Sequence, residues 1–159
     1  MGNRTALLIA TFGLTGVPAW GSAQSLSRVA SGIPAWADSA LAQAGVAARY
    51  DLTSSLNPDV RWGDFDGDGF LDVALAIVEP GTRRRGLAII HRVDWSVHIV
   101  GAGQAIGNGR DGIPALADWG VERLGTQRDV LRVDAAGAGD WHGWIAWTGQ
   151  AYAWVQDSN

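Results

Sequence analysis

The sequence predicts an α+β fold: a single small domain in which one or two helices cover a face of an antiparallel β-sheet meander. Three observations carry that prediction. The chain has 159 residues, 47% hydrophobic and 18% charged, which is the size and composition of one ordinary globular domain. Helical spacing of apolar residues is concentrated in one early segment, while most of the chain beyond it alternates short β-rich runs with Gly, Pro and Asp punctuation. No segment repeats at a period of about 20 to 50 residues, so a solenoid or a full propeller is excluded.

Residues 1–23 read as a secretory signal peptide. Arg4 lies in a short n-region, an apolar run extends from Ala6 to Val17, and Pro18 precedes Gly21 and Ala23 at the −3 and −1 positions of a cleavage site. The run is shorter than the roughly 20 residues a helix needs to cross the hydrocarbon core. The expected address is the periplasm or the medium, with no membrane span left after cleavage. The absence of cysteine removes a disulfide framework, a thiolate metal site and an acylated anchor.

Residues 24–33 are small and polar and form a flexible lead; residues 34–159 form the domain. Pro34 suits the first turn of a helix running to about Arg49, in which Trp36, Ala40, Leu41, Ala44 and Ala48 recur near helical spacing and Gly45 is a weak point. Val60 and Trp62 then lead as a strand into an Asp/Gly cluster. Leu71 to Val78 is a nearly continuous apolar run, as in a buried strand, and Glu79-Pro80-Gly81 ends it. Gly86 to His91 and Trp95 to Val100 are two further strands of a meander, with Arg83, Arg84 and Arg85 at a solvated tip. A glycine-rich loop spans Gly101 to Gly112. Ile113 to Leu124 is expected to be a short helix starting near Pro114. Asp129 to Val133 is a strand, and Trp144–Trp147 and Tyr152–Val155 make a final hairpin across Thr148 to Ala151.

The chemistry is concentrated in Asp64-Phe65-Asp66-Gly67-Asp68-Gly69-Phe70-Leu71-Asp72. Carboxylates fall at loop positions 1, 3, 5 and 9 with glycine at 6, and four such charges in one closed turn repel strongly without a counter-ion. Calcium accepts six to eight oxygens in flexible geometry, so Asp64, Asp66, Asp68, the Phe70 carbonyl and Asp72 are the expected ligands. Magnesium, which keeps strict octahedral geometry and several waters, suits this loop less. Position 12, where a helix-loop-helix calcium hand carries a bidentate Glu, is Leu75, and the flanks read as strands. The ion is expected to act as a structural staple, with Phe65 and Phe70 packing into the core on either side of the turn.

The segment Gly63 to Ala74 resembles the calcium loop of FG-GAP (VCBS, integrin-alpha-like) repeats, in which alternate Asp or Asn side chains and a closing Asp hold the ion between strands. Those repeats occur in tandem as propeller blades, whereas this chain has a single copy, so the resemblance implies the ion site and not adhesion. More broadly, Tyr50 to Asp157 is similar to small exported bacterial proteins with one such loop, a Gly-Leu-Ala-Ile-Ile-His strand and a C-terminal aromatic hairpin.

Other constellations point to less. Of nine tryptophans, several crowd the C-terminal hairpin; Trp141 and Trp144, then Trp154, are candidates for a ligand surface recognising an envelope glycan or protein, with core packing as the alternative. The 12 basic residues are all arginine and the formal charge is −4, which argues against a nucleic-acid partner. The Gly101 to Gly107 stretch lacks dinucleotide-binding offsets. His91, His98 and His142 lack transition-metal spacing and read as strand residues. There is no Gly-x-Ser-x-Gly elbow, and Glu79 and Glu122 are the only glutamates, so no enzymatic activity is expected.

Overall fold

A strand whose residues are apolar without alternation must be covered on both faces. Residues 73–78 are such a run, and together with Asp72 before them all seven residues of the strand 72–78 are buried. The computed structural model describes residues 32–53, 60–107, 109–114, 118–125, 128–134 and 141–156. The expected signal peptide, and all of the 24–33 lead except its last two residues, lie outside the described residues.

The elements run α1 (Ala35–Gln43), β1 (Asp51–Leu52), β2 (Val60–Gly63), β3 (Asp72–Val78), β4 (Arg85–Ile90), β5 (Val97–Gly101), β6 (Asp118–Leu124), β7 (Arg128–Asp134), β8 (His142–Trp147) and β9 (Tyr152–Gln156). The expected helix to Arg49 stops early. Gly45 takes a left-handed conformation (φ 65°) after α1, and Val46–Ala48 forms only a 3-10 turn. All strand pairing is antiparallel, but it makes two sheets rather than one meander. The first has β1-β3-β4-β5, with β2 also on β3, and the second has β6-β7-β8-β9.

The helix expected over 113–124 is a correction. Ile113 bridges Arg85, and Asp118–Leu124 is a strand paired along its whole length with Arg128–Asp134. Pro114 and nearby apolar residues imitate a helix start, but the second sheet needs this edge, and Gly125 (φ 70°) begins the turn back to β7.

Side-chain alternation assigns the layers. Val73, Leu75, Ile77, Ala88 and Ile90 pack with Ala37, Ala40 and Leu41 of α1. Ala74, Ala76, Leu87 and Ile89, on the opposite face, pack with Trp119, Leu131, Val133 and Ile145 of the second sheet. The first sheet is therefore the middle layer of three, with α1 on one side and the second sheet on the other. Asp72 and Ala74 share the face turned toward the second sheet, which sets the acidic turn at one end of the sandwich.

Candidate metal centre

The acidic turn begins where β2 ends. A Cβ on Gly63 would lie 2.6 Å from the Phe65 ring, so only glycine lets that ring reach the core. Gly67 and Gly69 both have positive φ (86° and 91°), as the reversal between β2 and β3 requires. Local hydrogen bonds then curl the chain. Gly67 N and Gly69 N donate to Asp64 Oδ1 and Oδ2 at 2.9 and 3.2 Å. Asp68 N donates to Asp66 Oδ1 at 3.0 Å, and Phe70 N to Asp68 Oδ1 at 2.8 Å.

This curl brings Asp64, Asp66 and Asp68 together, each with a carboxylate oxygen within 4.8 Å of the others. Oxygens bonded to one calcium at 2.3–2.6 Å lie at most roughly 5 Å apart, so the spacing suits a single hard cation. Asp64 is buried and Asp68 exposed, so the set opens toward solvent.

Asp72 closes the turn from within. It is fully buried; its Oδ2 accepts Phe65 N at 3.0 Å and its Oδ1 accepts Arg92 N at 2.8 Å. Burial pushes its carboxyl up to about 7, helped by the neighbouring charge of Asp66 and opposed by the backbone N–H donors. Asp72, Asp66 and His91 form a second group with ligand atoms within 4.8 Å of one another. Among the described residues, His91 is the one basic group at ion-pair distance from these carboxylates, its Nδ1 lying 3.4 Å from Asp66 Oδ2.

His91 is buried, and its Nε2 lies 2.7 Å from the Tyr152 hydroxyl. Burial, with the charges of Asp72, Asp66 and Asp64, holds that phenol above its usual range, so it remains a hydroxyl. Behind it the His98 ring lies 4.6 Å from His91, and Trp147 meets both imidazoles edge-on. Burial is the main reason the His98 pKa is lowered.

A further anchor comes from the second sheet. Asp129 Oδ2 accepts Asp64 N at 2.9 Å, and Asp129 N donates to Asp64 O at 2.8 Å. Arg123 Nε, 3.1 Å from Asp129 Oδ1, holds that carboxylate in place.

Of the carboxylates singled out from the sequence, Asp64, Asp66 and Asp68 come together in one group, while Asp72, at the start of β3, falls in a second group with Asp66 and His91; sequence reasoning did not bring His91 or Asp129 to this centre. His91 had a signal: continuing the β3–β4 register one step beyond Val73↔Ile90 sets Asp72 opposite His91. Asp129, 65 residues from Asp64, had none. Phe65 is 1% exposed, as expected of a core ring, but Phe70 is 58% exposed and does not pack inward. The reason is its place at the outer tip, after the Gly69 reversal.

The three C-terminal tryptophans do not form one surface. Trp141 is buried and meets Trp154 edge-on at 5.0 Å, beneath the Arg110 guanidinium. Trp154 is paired with Ile145, on the core side, whereas Trp144 points to the other face, where its Nε1 donates to Glu122 at 2.7 Å. A contiguous rim of exposed rings is therefore absent from these positions. No protein-family model, curated protein or solved structure matches the chain.

Proposed function

We propose that this protein is an exported calcium-binding domain, in which Asp64, Asp66, Asp68, the Phe70 carbonyl and Asp72 hold a structural ion in a loop of the FG-GAP kind. The observation that carries the reading is the convergence of carboxylates at ion-sharing distance with no arginine at ion-pair distance among the described residues. Such a cluster is self-repulsive unless a cation joins it. The export half of the reading rests on residues 1–23 alone.

A staple role is consistent with the energetics. Calcium at a hundredfold excess over its dissociation constant adds about 2.7 kcal/mol to the folded state, a large share of a net stability of roughly 5–15 kcal/mol. The test is a thermal melt in EDTA and in millimolar calcium, with magnesium as control. The expected result is a rise in Tm of about 5–10 °C specific to calcium and absent in Asp66→Ala. An unchanged wild-type Tm would refute the reading.

A second reading is favoured by His91. An imidazole nitrogen beside Asp66 and Asp72 suits a softer divalent ion such as manganese or zinc at the buried end of the cluster. In the same melt, a larger shift with manganese or zinc, lost in His91→Ala, would favour it over calcium.

A further inference from the structure

Strand β5 is a sheet edge: among the described residues it pairs with β4 alone. Its register shows which backbone groups that edge leaves open. His91 N donates to Ser96 O at one end of the β4–β5 ladder, and Ala102 N donates to Arg85 O at the other. Antiparallel ladders alternate hydrogen-bonded and non-hydrogen-bonded pairs. Ile89↔His98 and Leu87↔Val100 are therefore bonded pairs, and Val97 and Ile99 turn their N–H and C=O groups away from β4.

A cavity of about 460 Å³ lies against this strand. A hollow over one face of a strand touches alternate residues, but this one touches Val97, His98, Ile99 and Val100 in succession, so it runs along the open edge. Tyr50, which packs with the α1 layer, and Tyr152, which packs with the second sheet, wall it on either side. One residue of an added strand occupies roughly 160 Å³, from a rise of about 3.3 Å, a strand spacing of about 4.8 Å and a layer spacing of about 10 Å. The slot thus holds about three residues, which matches the stretch from Val97 to Ile99. At the Gly101 end it is closed, because Gln104 N donates to Gly101 O at 2.9 Å. It admits the end of a chain rather than a segment running through.

Charge decides which end. Arg49 is exposed at the rim, and among the described residues it has no carboxylate at ion-pair distance; its Nη2 lies 3.4 Å from Ala44 O. No carboxylate lines the slot. A peptide N-terminus would set an ammonium against that guanidinium, whereas a C-terminus offers it a carboxylate to grip in a fork.

We propose that the free edge of β5 binds the C-terminal segment of a partner polypeptide as an added strand, its backbone paired with Val97 and Ile99 and its terminal carboxylate on Arg49. Main-chain pairing supplies affinity with little regard to sequence. The residue opposite His98 shares that side chain's face, toward Tyr152, where an apolar group fits best. A second copy of this chain fits less well, since its edge strand carries packed layers of its own that meet the Tyr50 and Tyr152 walls.

The test exposes the folded protein to a pool of peptides randomised over their C-terminal residues, with a free carboxylate, and to the same pool amidated at the C-terminus. Amide hydrogen exchange by NMR is the first readout. In the free protein His98 and Val100 N–H should be protected while Val97 and Ile99 N–H exchange freely; slow exchange at Val97 and Ile99 without peptide would mean that the edge is already paired and would overturn the proposal. The carboxylate pool should slow exchange at Val97 and Ile99 and be retained about tenfold more than the amidated pool. Ile99→Pro removes an N–H from the open side and leaves the bonds to β4 in place, so it should abolish retention with little change in Tm. Arg49→Gln, at an exposed position, should keep weak retention but lose the preference for the free carboxylate. Equal retention of the two pools by the wild type overturns the role of the carboxylate, and retention without protection at Val97 and Ile99 overturns the added strand. No retention of either pool overturns both. A dimer that Ile99→Pro converts to monomer would assign the edge to a second copy instead.

Discussion

The two turns that bound β3 carry opposite charge runs and handle them differently. Between β2 and β3, the carboxylates of Asp64 and Asp72 are buried and accept four backbone N–H groups, tying the turn to itself and to Arg92. Between β3 and β4, Arg83, Arg84 and Arg85 are mostly solvated. Arg84 makes an open ion pair with Asp111 at 2.7 Å, both side chains about half exposed, and Thr82 hydrogen-bonds Glu79 beside it. Charge density alone does not separate these turns. What separates them is whether the charges are drawn inward, where each becomes a structural part whose repulsion must be answered.

The largest expected effect comes from Asp72→Ala, which leaves the Phe65 and Arg92 N–H groups without their acceptor. Urea unfolding should show a loss of about 2–5 kcal/mol. Asp72→Asn should recover part of that loss in EDTA, since one acceptor oxygen remains, yet it should respond less to calcium. Next in size is Asp66→Ala, which should erase the calcium increment of about 2.7 kcal/mol, measured as the difference between melts with and without the ion.

Asp129→Ala should cost about 1–2 kcal/mol through the lost acceptor for Asp64 N. It should also weaken calcium binding without removing any ligand, as read by calorimetric titration. Smaller again is a pH effect. Because the folded Asp72 carboxyl is raised to about 7 from an ordinary 3.8, its contribution to stability is full below about pH 4 and is lost as pH rises through 7. Calcium binds the ionised form, so the Tm increment should grow between pH 5.5 and pH 8; a flat increment would mean that Asp72 is not coupled to the ion. The smallest effect belongs to the other turn: Arg84→Ala should stay within about 0.5 kcal/mol of wild type in the same unfolding assay. A large loss there would erase the contrast between the turns.

The acidic turn was legible because it is local: spacing, glycine positions and charge lie within nine residues. Strands β3, β4, β5, β7, β8 and β9 were legible for the same reason, each being a short apolar or aromatic run between turn residues. What failed was long range. Asp118–Leu124 has Trp119 and Val121 alternating about Gly120, but its strand state is decided by pairing with Arg128–Asp134. The division into two sheets depends on how Ile113 returns to Arg85, which no local period encodes. The exposed Phe70 shows the same limit, because aromaticity gives no direction at a loop tip.

The reciprocal bonds between Asp64 and Asp129 have a kinetic consequence. They join the acidic turn of the first sheet to the second across 65 residues of chain, a contact that costs much loop entropy and is therefore expected to form late in folding. Interactions missing from the transition state slow unfolding more than they speed folding. An ion that tightens this seam should therefore act on the lifetime of the native state, lowering the unfolding rate by roughly the whole of its equilibrium contribution while leaving the refolding rate nearly unchanged.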